Sequence, residues 1–416
     1  MAVFAVTLLG IAGFLFFADR GTDRALAIPP PSPPPIPEPG PARSWEADVA
    51  VSTFSSWHTR HGNTFTTIPI VAVSGSGPDL VMNLYHNAAS VSAAFDIGAG
   101  SGIRLGPGWT TSYSSQIVLD NPSTPTTGTV VADDGTQLVF RWEFNKWNAP
   151  IGNHDLLTAG GDSRVGPDWT LLHKNQSRTV YKTEGGVTRL QKAIDAVGHE
   201  SVVTYETVGQ VTRILSVFGA GGRHLDFVYD PYDPSGQLTT ITDPRDEGGE
   251  PAVGEIDDRH WTFTYDSNNR IETLSGPWPL TNRIEMTYDT AGRLGTVSDW
   301  AADGEVANIY AYTYDAVGHL THVDDPTPVP GQPQLFQTLS LTANGPTYIK
   351  ATHTDRRGNA WEYEYSSMTA SSDGNLAGSR TPSGITVGSV MTTSVTSYGK
   401  EPALALGTTT MTPVGT

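Results

Sequence analysis

The 416-residue chain contains no cysteine. Disulfides, thiolate catalysis and cysteine-ligated zinc are therefore excluded, and passage through an oxidising compartment poses it no hazard. Basic residues are scarce: 25 Lys and Arg stand against 43 Asp and Glu, for a formal charge of −18. Nucleic acid and anionic membrane surfaces need a concentrated positive field, and no basic run supplies one. Helix-favouring Lys, Glu and Gln are thin outside a few patches, whereas 44 Gly and 30 Pro accompany many Thr, Val, Tyr and Trp. That balance favours strands joined by turns and hence an all-β fold.

One apolar run stands apart. From Ala2 to Phe17 every residue but Thr7 is apolar or small, and DRGTDRALA follows. Ala25-Leu26-Ala27 has the small-x-small form of a signal-peptidase site, which would leave Ile28 as the mature N-terminus. No Lys or Arg precedes the run, and its length lies between that of a signal peptide and that of a spanning helix. Residues 1–27 are expected to be a signal peptide or an N-terminal membrane anchor. That segment is the only expected membrane contact, and the location is secreted or cell-surface.

Residues 28–43 hold IPPPSPPPIPEPGP, a stiff polyproline linker, because every proline fixes φ and removes a donor. Residues 44–190 read as an N-terminal β-rich domain. In DLVMNLYHN (79–87), Leu80, Met82 and Leu84 alternate with their neighbours, the period of a strand with one buried face. GAGSGIRLGPG (98–108) lacks the Lys-Ser/Thr of a phosphate loop and reads as turn chemistry. ADDGTQLVFRWEF (132–144) reads as a turn at Asp133-Asp134-Gly135 followed by a strand, and 145–190 as irregular strands and loops. Beyond Ser366 the chain turns to Ser, Thr and Gly. Residues 367–416 are expected to be a tail or the start of further β structure.

Between them lies a five-fold internal repeat: YETVGQVTRI (205–214), YDPYDPSGQLTTI (229–241), YDSNNRIETL (265–274), YDTAGRLGTV (288–297) and YDAVGHLTHV (314–323). Successive tyrosines are 24, 36, 23 and 26 residues apart, a spacing that marks a repeat architecture. Apolar residues alternate ahead of each tyrosine, as in Trp261, Phe263, Tyr265 and Ile284, Met286, Tyr288. After it, the Asp of Asp-x-x-Gly can accept backbone N–H bonds, and the Gly supplies positive φ for a hairpin turn with a bulge. Asn269 stands where the others have Gly209, Gly236, Gly292 and Gly318, and Asn is the best substitute for Gly in the left-handed region. Two aliphatic residues follow three apart: Val211/Ile214, Leu238/Ile241, Ile271/Leu274, Leu294/Val297 and Leu320/Val323. Strict alternation would put them on opposite faces, so either the strand bulges or both faces are covered. Each repeat is one hairpin that must stack on its neighbours to bury its apolar face.

Tyr-Asp-x-x-Gly-Arg/Gln/His-Leu at this spacing resembles the YD-repeat (Rhs) family. LGPGWTTSYSS (105–115) is similar to the segment that precedes YD repeats in bacterial members. DRRGNAWEYEY (355–365), and more loosely AIDAVGHESVVTYE (193–206), are similar to the family's Asp-x-x-Gly-Asn strand start. The resemblance spans about residues 60–366. It implies an all-β architecture in which the N-terminal β domain precedes stacked antiparallel hairpins (191–366), forming a sheet that spirals toward a hollow shell. It also implies a non-catalytic scaffold for display or encapsulation in a toxin-related or intercellular system. The partners implied are a C-terminal toxin cargo or a surface receptor or glycan. The family's C-terminal core segment with Asp-Pro self-cleavage elements is not recognisable here. DPSG (233–236) and Asp243-Pro244 read as a hairpin loop and the next turn, and five repeats are few for closing a chamber.

No catalytic, cofactor or metal site is assigned. His58/His61 and His319/His322 lie three apart, which on a strand points them opposite ways, and His319 fills a column held elsewhere by Gln or Arg. DSNNRIE (266–272) lacks the Gly and full ligand set of a calcium loop. Paired carboxylates for glycoside hydrolysis could be chosen from 43 acids at will, so their availability decides nothing. The alternative to a scaffold is a carbohydrate-binding or adhesion module using some of the ten tryptophans, followed by a glycan-processing hydrolase.

Overall fold

The computed structural model describes residues 48–59, 62–73, 79–92, 102–150, 153–160, 163–231, 236–244, 258–277, 283–300, 306–326, 333–343, 348–366, 376–380 and 391–392. The apolar N-terminal segment, the proline linker, His61 and most of the tail lie outside them. Among the described residues no helix is long and apolar enough to cross a membrane.

Two antiparallel sheets account for the structure. The first has five strands in chain order, Asp48–Ala50, Ser55–His58, Thr64–Val73, Leu80–Asn87 and Trp109–Thr111. Leu80, Met82 and Leu84 are all buried, as their alternation requires. The partner strand shifts register between Pro69 and Val71. A proline without an N–H belongs at such an irregularity, where the ladder has no use for its missing donor.

The second sheet is the repeat strip. From Leu156–Ala159 to Met391–Thr392 each strand pairs antiparallel with the next in sequence. A branch of four strands, Gln116–Leu119, Thr127–Val131, Gln137–Glu143 and Lys146–Asn148, joins it through one contact, Thr188 opposite Ile117 and Arg189 opposite Gln116. The strand Val187–Ile194 thus shares one edge between two neighbours: its start pairs with the branch and its end with Glu200–Val208. Pairing therefore runs unbroken across residue 190. Leu156–Ala159, Asp168–Leu172, Arg178–Glu184 and Val187–Ile194 are successive paired strands, with a register shift just before Tyr181. Four-residue strands such as Leu156–Ala159 carry too few alternations to show a period, and the Gly185-Gly186 turn hides a hairpin.

The two aliphatic residues three apart are explained by a bulge. In the hairpin of Tyr288, Tyr288 faces Leu294 while Thr287 faces Thr296, so Gly295 is the extra residue and Leu294 and Val297 return to one face. The same shift falls just before Tyr205, Tyr229, Tyr265 and Tyr314. Leu238/Ile241, Ile271/Leu274, Leu294/Val297 and Leu320/Val323 are all at or near zero exposure, so bulging, not two-sided covering, is what the spacing records. In the Tyr205 hairpin the columns differ from the sequence alignment. Its buried pair is Ile214/Val217, because Val208 and Val211 close a longer hairpin through a two-residue turn.

The five-stranded sheet packs on the tyrosine-bearing face of the strip. Tyr113 meets Phe227 edge to face at 6.5 Å, Ser52 and Ser55 bond the Tyr312 hydroxyl at 2.9 Å, and Gln337 Nε2 donates to the Val51 carbonyl at 2.8 Å. The opposite face carries cross-strand threonine pairs, Thr264–Thr273 at 2.6 Å and Thr287–Thr296 at 2.7 Å, which suit an exposed sheet surface.

Candidate functional site

The recurrent feature of the strip is a joint between successive hairpins. At the bulge, the aliphatic residue opposite each tyrosine turns its backbone out of the ladder. Its carbonyl accepts the hydroxyl of the next tyrosine: Tyr205 to Leu190 at 2.6 Å, Tyr229 to Ile214 at 2.7 Å, Tyr265 to Leu238 at 2.8 Å and Tyr288 to Ile271 at 2.6 Å. Burial raises the pKa of each of these hydroxyls that shows a shift, which keeps it a donor. Phenylalanine would fill the same space and leave a carbonyl unpaired, which explains a tyrosine in this column. Tyr314 breaks the series, since its hydroxyl lies beside Thr64 without a hydrogen bond of ordinary geometry.

The freed amides are used as well, and they hold the N-terminal region. Leu190 N–H donates to the Ser115 carbonyl at 3.2 Å, Ile271 to Leu105 at 2.8 Å and Leu320 to Gly62 at 2.9 Å. The segment GIRLGPG is therefore more than a turn. Ile103 and Leu105 are buried, and Gly102 and Gly106 press against Arg213 and Arg270.

A guanidinium completes the joint. Arg213 lies over the Tyr229 ring at 4.1 Å, Arg270 over Tyr288 at 4.4 Å and Arg293 over Tyr314 at 4.5 Å. Each is held by an acid of its own hairpin, Glu206, Asp266 or Asp289, at 2.7–2.8 Å. The turn aspartates behave as their spacing requires: Asp266 Oδ1 accepts the Asn268 and Arg270 amides, and Asp289 Oδ1 those of Ala291 and Arg293. Burial alone would raise the Asp266 pKa, but the bonds from Arg270 and these amides outweigh it and hold the carboxyl below its ordinary value. Asn269 has φ of 59°, in the left-handed region expected of it.

The residues weighed for chemistry are placed in structural roles. His319 pairs with Asp315 at 3.1 Å and His322 with Asp324 at 3.0 Å, each within its own hairpin. Among the described residues no three His, Asp or Glu side chains converge as metal ligands. Asp243 is fully buried and clamped by Arg223 and by Arg259 Nε at 2.8 Å, so its carboxylate is committed to an ion triad. Asp133 and Asp134 form the expected hairpin turn, where burial and then the Asp134 charge push the Asp133 pKa up. Trp57, Trp109, Trp147, Trp169 and Trp261 are buried, which removes them as a sugar platform.

Sequence comparison misses one unit. YKTEGGVTRL (181–190) matches YETVGQVTRI (205–214) column for column, and Tyr181 faces Leu190 across the same register shift. Its tyrosine is followed by Lys182, a cation where the five recognised units carry Asp or Glu.

No protein-family model matches the chain, and no curated protein resembles it in sequence. Among solved structures it is similar to "Crystal Structure of TcdB2-TccC3-Cdc42", at 11% identity over 83% of this chain and 18% of that one, TM-score 0.29. It is likewise similar to "Crystal Structure of TcdB2-TccC3", at 12% identity over 85% of this chain and 21% of that one, TM-score 0.26. A third, "Crystal Structure of TcdB2-TccC3 without hypervariable C-terminal region", has 12% identity over 79% of this chain and 19% of that one, TM-score 0.26. The chain spans about a fifth of the length of the chains it matches.

Proposed function

We propose that the chain is a non-catalytic scaffold of the YD-repeat (Rhs-like) kind, secreted or surface-attached, that displays or encloses a cargo in a toxin-related or intercellular interaction system. The tyrosine joint carries this reading. Four of the repeated tyrosines and the three stacked arginines hold one hairpin to the next, and Glu206, Asp266 and Asp289 fix the arginines in place, which is the requirement of an extendable wall rather than of a reaction centre. Sequencing the reading frame downstream of the Thr416 codon tests it. Further Tyr-Asp-x-x-Gly units or a terminal core segment are expected, and finding neither would overturn the toxin-shell reading. Export rests on residues 2–27. N-terminal sequencing of chain recovered outside the cells should begin at Ile28, and an uncleaved, membrane-retained chain would favour the anchor.

A second reading, contact with surface carbohydrate, is favoured by two exposed stacked pairs. Phe218 lies against His224 at 5.1 Å, and Phe336 against His322 at 5.0 Å, with Phe336 half exposed. A glycan array probed with the full chain checks it, and silence across the array would remove it.

A further inference from the structure

The openings between successive hairpins are filled in different ways. Neighbouring hairpins pair only over part of their length, and toward the tyrosine turns they separate. Arginine fills the opening after the Tyr205, Tyr265 and Tyr288 hairpins, stacked on the next tyrosine and bonded to an acid. After the Tyr181 hairpin the pattern changes. Arg189 occupies the column of Arg213, but the residue opposite it is Lys182, whereas Arg213 faces Glu206. The acid that holds Arg213, Arg270 and Arg293 has here become a cation.

The consequences are visible in the geometry. Lys182 turns to Glu184, with Nζ 2.6 Å from the carboxylate. Arg189 reaches only the Glu184 backbone carbonyl, at 3.5 Å, and its buried Nε has no hydrogen-bond partner. It does not stack on Tyr205, whose ring is the counterpart of Tyr229. A cavity of about 230 Å³ remains between the two hairpins, lined by Arg189, Gln191, Tyr205 and Thr212, by the Lys182–Glu184 ion pair, and by the apolar Leu190 and Val203. A buried guanidinium donor without an acceptor is costly, and a planar carboxylate satisfies it two bonds at a time.

We propose that this cavity binds a small carboxylate, taking the place that the Glu206 carboxylate occupies in the following joint. At roughly 30 Å³ per water the space equals seven or eight waters, room for one sugar acid such as a hexuronate but not for a disaccharide. Gln191 and Thr212 offer hydrogen bonds to its hydroxyls, and Leu190 and Val203 an apolar wall for its ring. The chain's overall negative charge acts at a distance and is screened within about 10 Å at ordinary salt, and the acid in the lining, Glu184, is neutralised by Lys182, so the Arg189 guanidinium decides binding. The proposal stands apart from the scaffold reading, because Arg213, Arg270 and Arg293 are paired within their own hairpins whether or not this joint takes a ligand.

Calorimetric titration of the full chain with glucuronate, glucose and acetate tests it. Glucuronate is expected to bind at least about tenfold more tightly than glucose, the difference that one charge-assisted contact makes. Arg189→Gln should abolish binding. Lys182→Glu is the decisive variant: it restores the acid found at Glu206, so it should remove glucuronate binding while leaving the melting temperature unchanged or higher. Failure of glucuronate to bind, or binding that survives Lys182→Glu in the folded protein, would overturn the proposal. Acetate bound as tightly as glucuronate would overturn the sugar-acid assignment.

Discussion

The Tyr288 hydroxyl donates to the Ile271 carbonyl at 2.6 Å and at the same time accepts the Trp109 indole N–H at 3.0 Å. One atom thus ties two successive hairpins and the five-stranded sheet. Tyr288→Phe should leave a buried carbonyl and a buried indole donor unpaired, at about 2–4 kcal/mol. Tyr229→Phe breaks the one bond to the Ile214 carbonyl, so about 1–2 kcal/mol is expected. Urea unfolding of both variants checks the order, and equal losses would contradict the double role.

The docking of the sheet depends on Gly62. Its φ is +69°, and a Cβ there would lie 2.7 Å from the His319 ring. Gly62→Ala should cost more than the roughly 1–2 kcal/mol of the left-handed conformation alone. Gly209 has φ of +63° with nothing within 4 Å of a Cβ, so Gly209→Ala carries only the conformational part. Thermal unfolding of the pair should separate them by several degrees.

Arg293→Gln removes both the stack on Tyr314 and the bond to Asp289, for about 1–2 kcal/mol. Arg189→Gln loses neither a stack nor an acid and removes an unpaired buried donor, so stability should hold or rise by about 1 kcal/mol. The contrast is measured by the urea midpoints of the two variants.

Two buried histidines predict acid sensitivity. Burial lowers His86 to about 3 and His353 to about 4. Both are neutral in the fold, whereas the unfolded chain takes up protons near pH 6.5. Stability is therefore unaffected above pH 6.5 and falls as the pH drops toward 4 and then 3, by at most about 1.4 kcal/mol per pH unit for each histidine. His353 Nε2 bonds Gln337 Oε1 at 2.9 Å, and His353→Gln should flatten the decline between pH 6.5 and 4. A slope equal to that of the natural chain would show that His353 is not the source.

Much of this was legible locally. The alternation of Leu80, Met82 and Leu84, the aspartate turns and the glycine-like conformation of Asn269 all follow from short stretches whose geometry depends on a few neighbours. The bulge was visible only as an ambiguity, because Leu294 and Val297 three apart fit either a bulge or two covered faces. The Tyr205 hairpin was misaligned by three residues, since Val211 and Ile214 imitate the column that Ile214 and Val217 fill. The joints themselves left a trace in the sequence, as tyrosine rather than phenylalanine and arginine at a fixed offset. Their partners are backbone carbonyls 15–27 residues away, which no side-chain pattern records. The docking of Leu105 and Gly62 on Ile271 and Leu320 is likewise a backbone contact between distant parts of the chain.

The five-stranded sheet and the tyrosine hairpins form one body, joined at the bulge amides. Native-state hydrogen exchange, followed by mass spectrometry on the full chain, tests it most directly. Peptides containing Ile271 and Leu320 should be protected to the same opening free energy as those covering 64–73 and 80–87, and Gly62→Ala should lower all of them together. If residues 64–87 exchange at a much lower free energy while the hairpins remain protected, the two parts open separately and the joint is not what holds them.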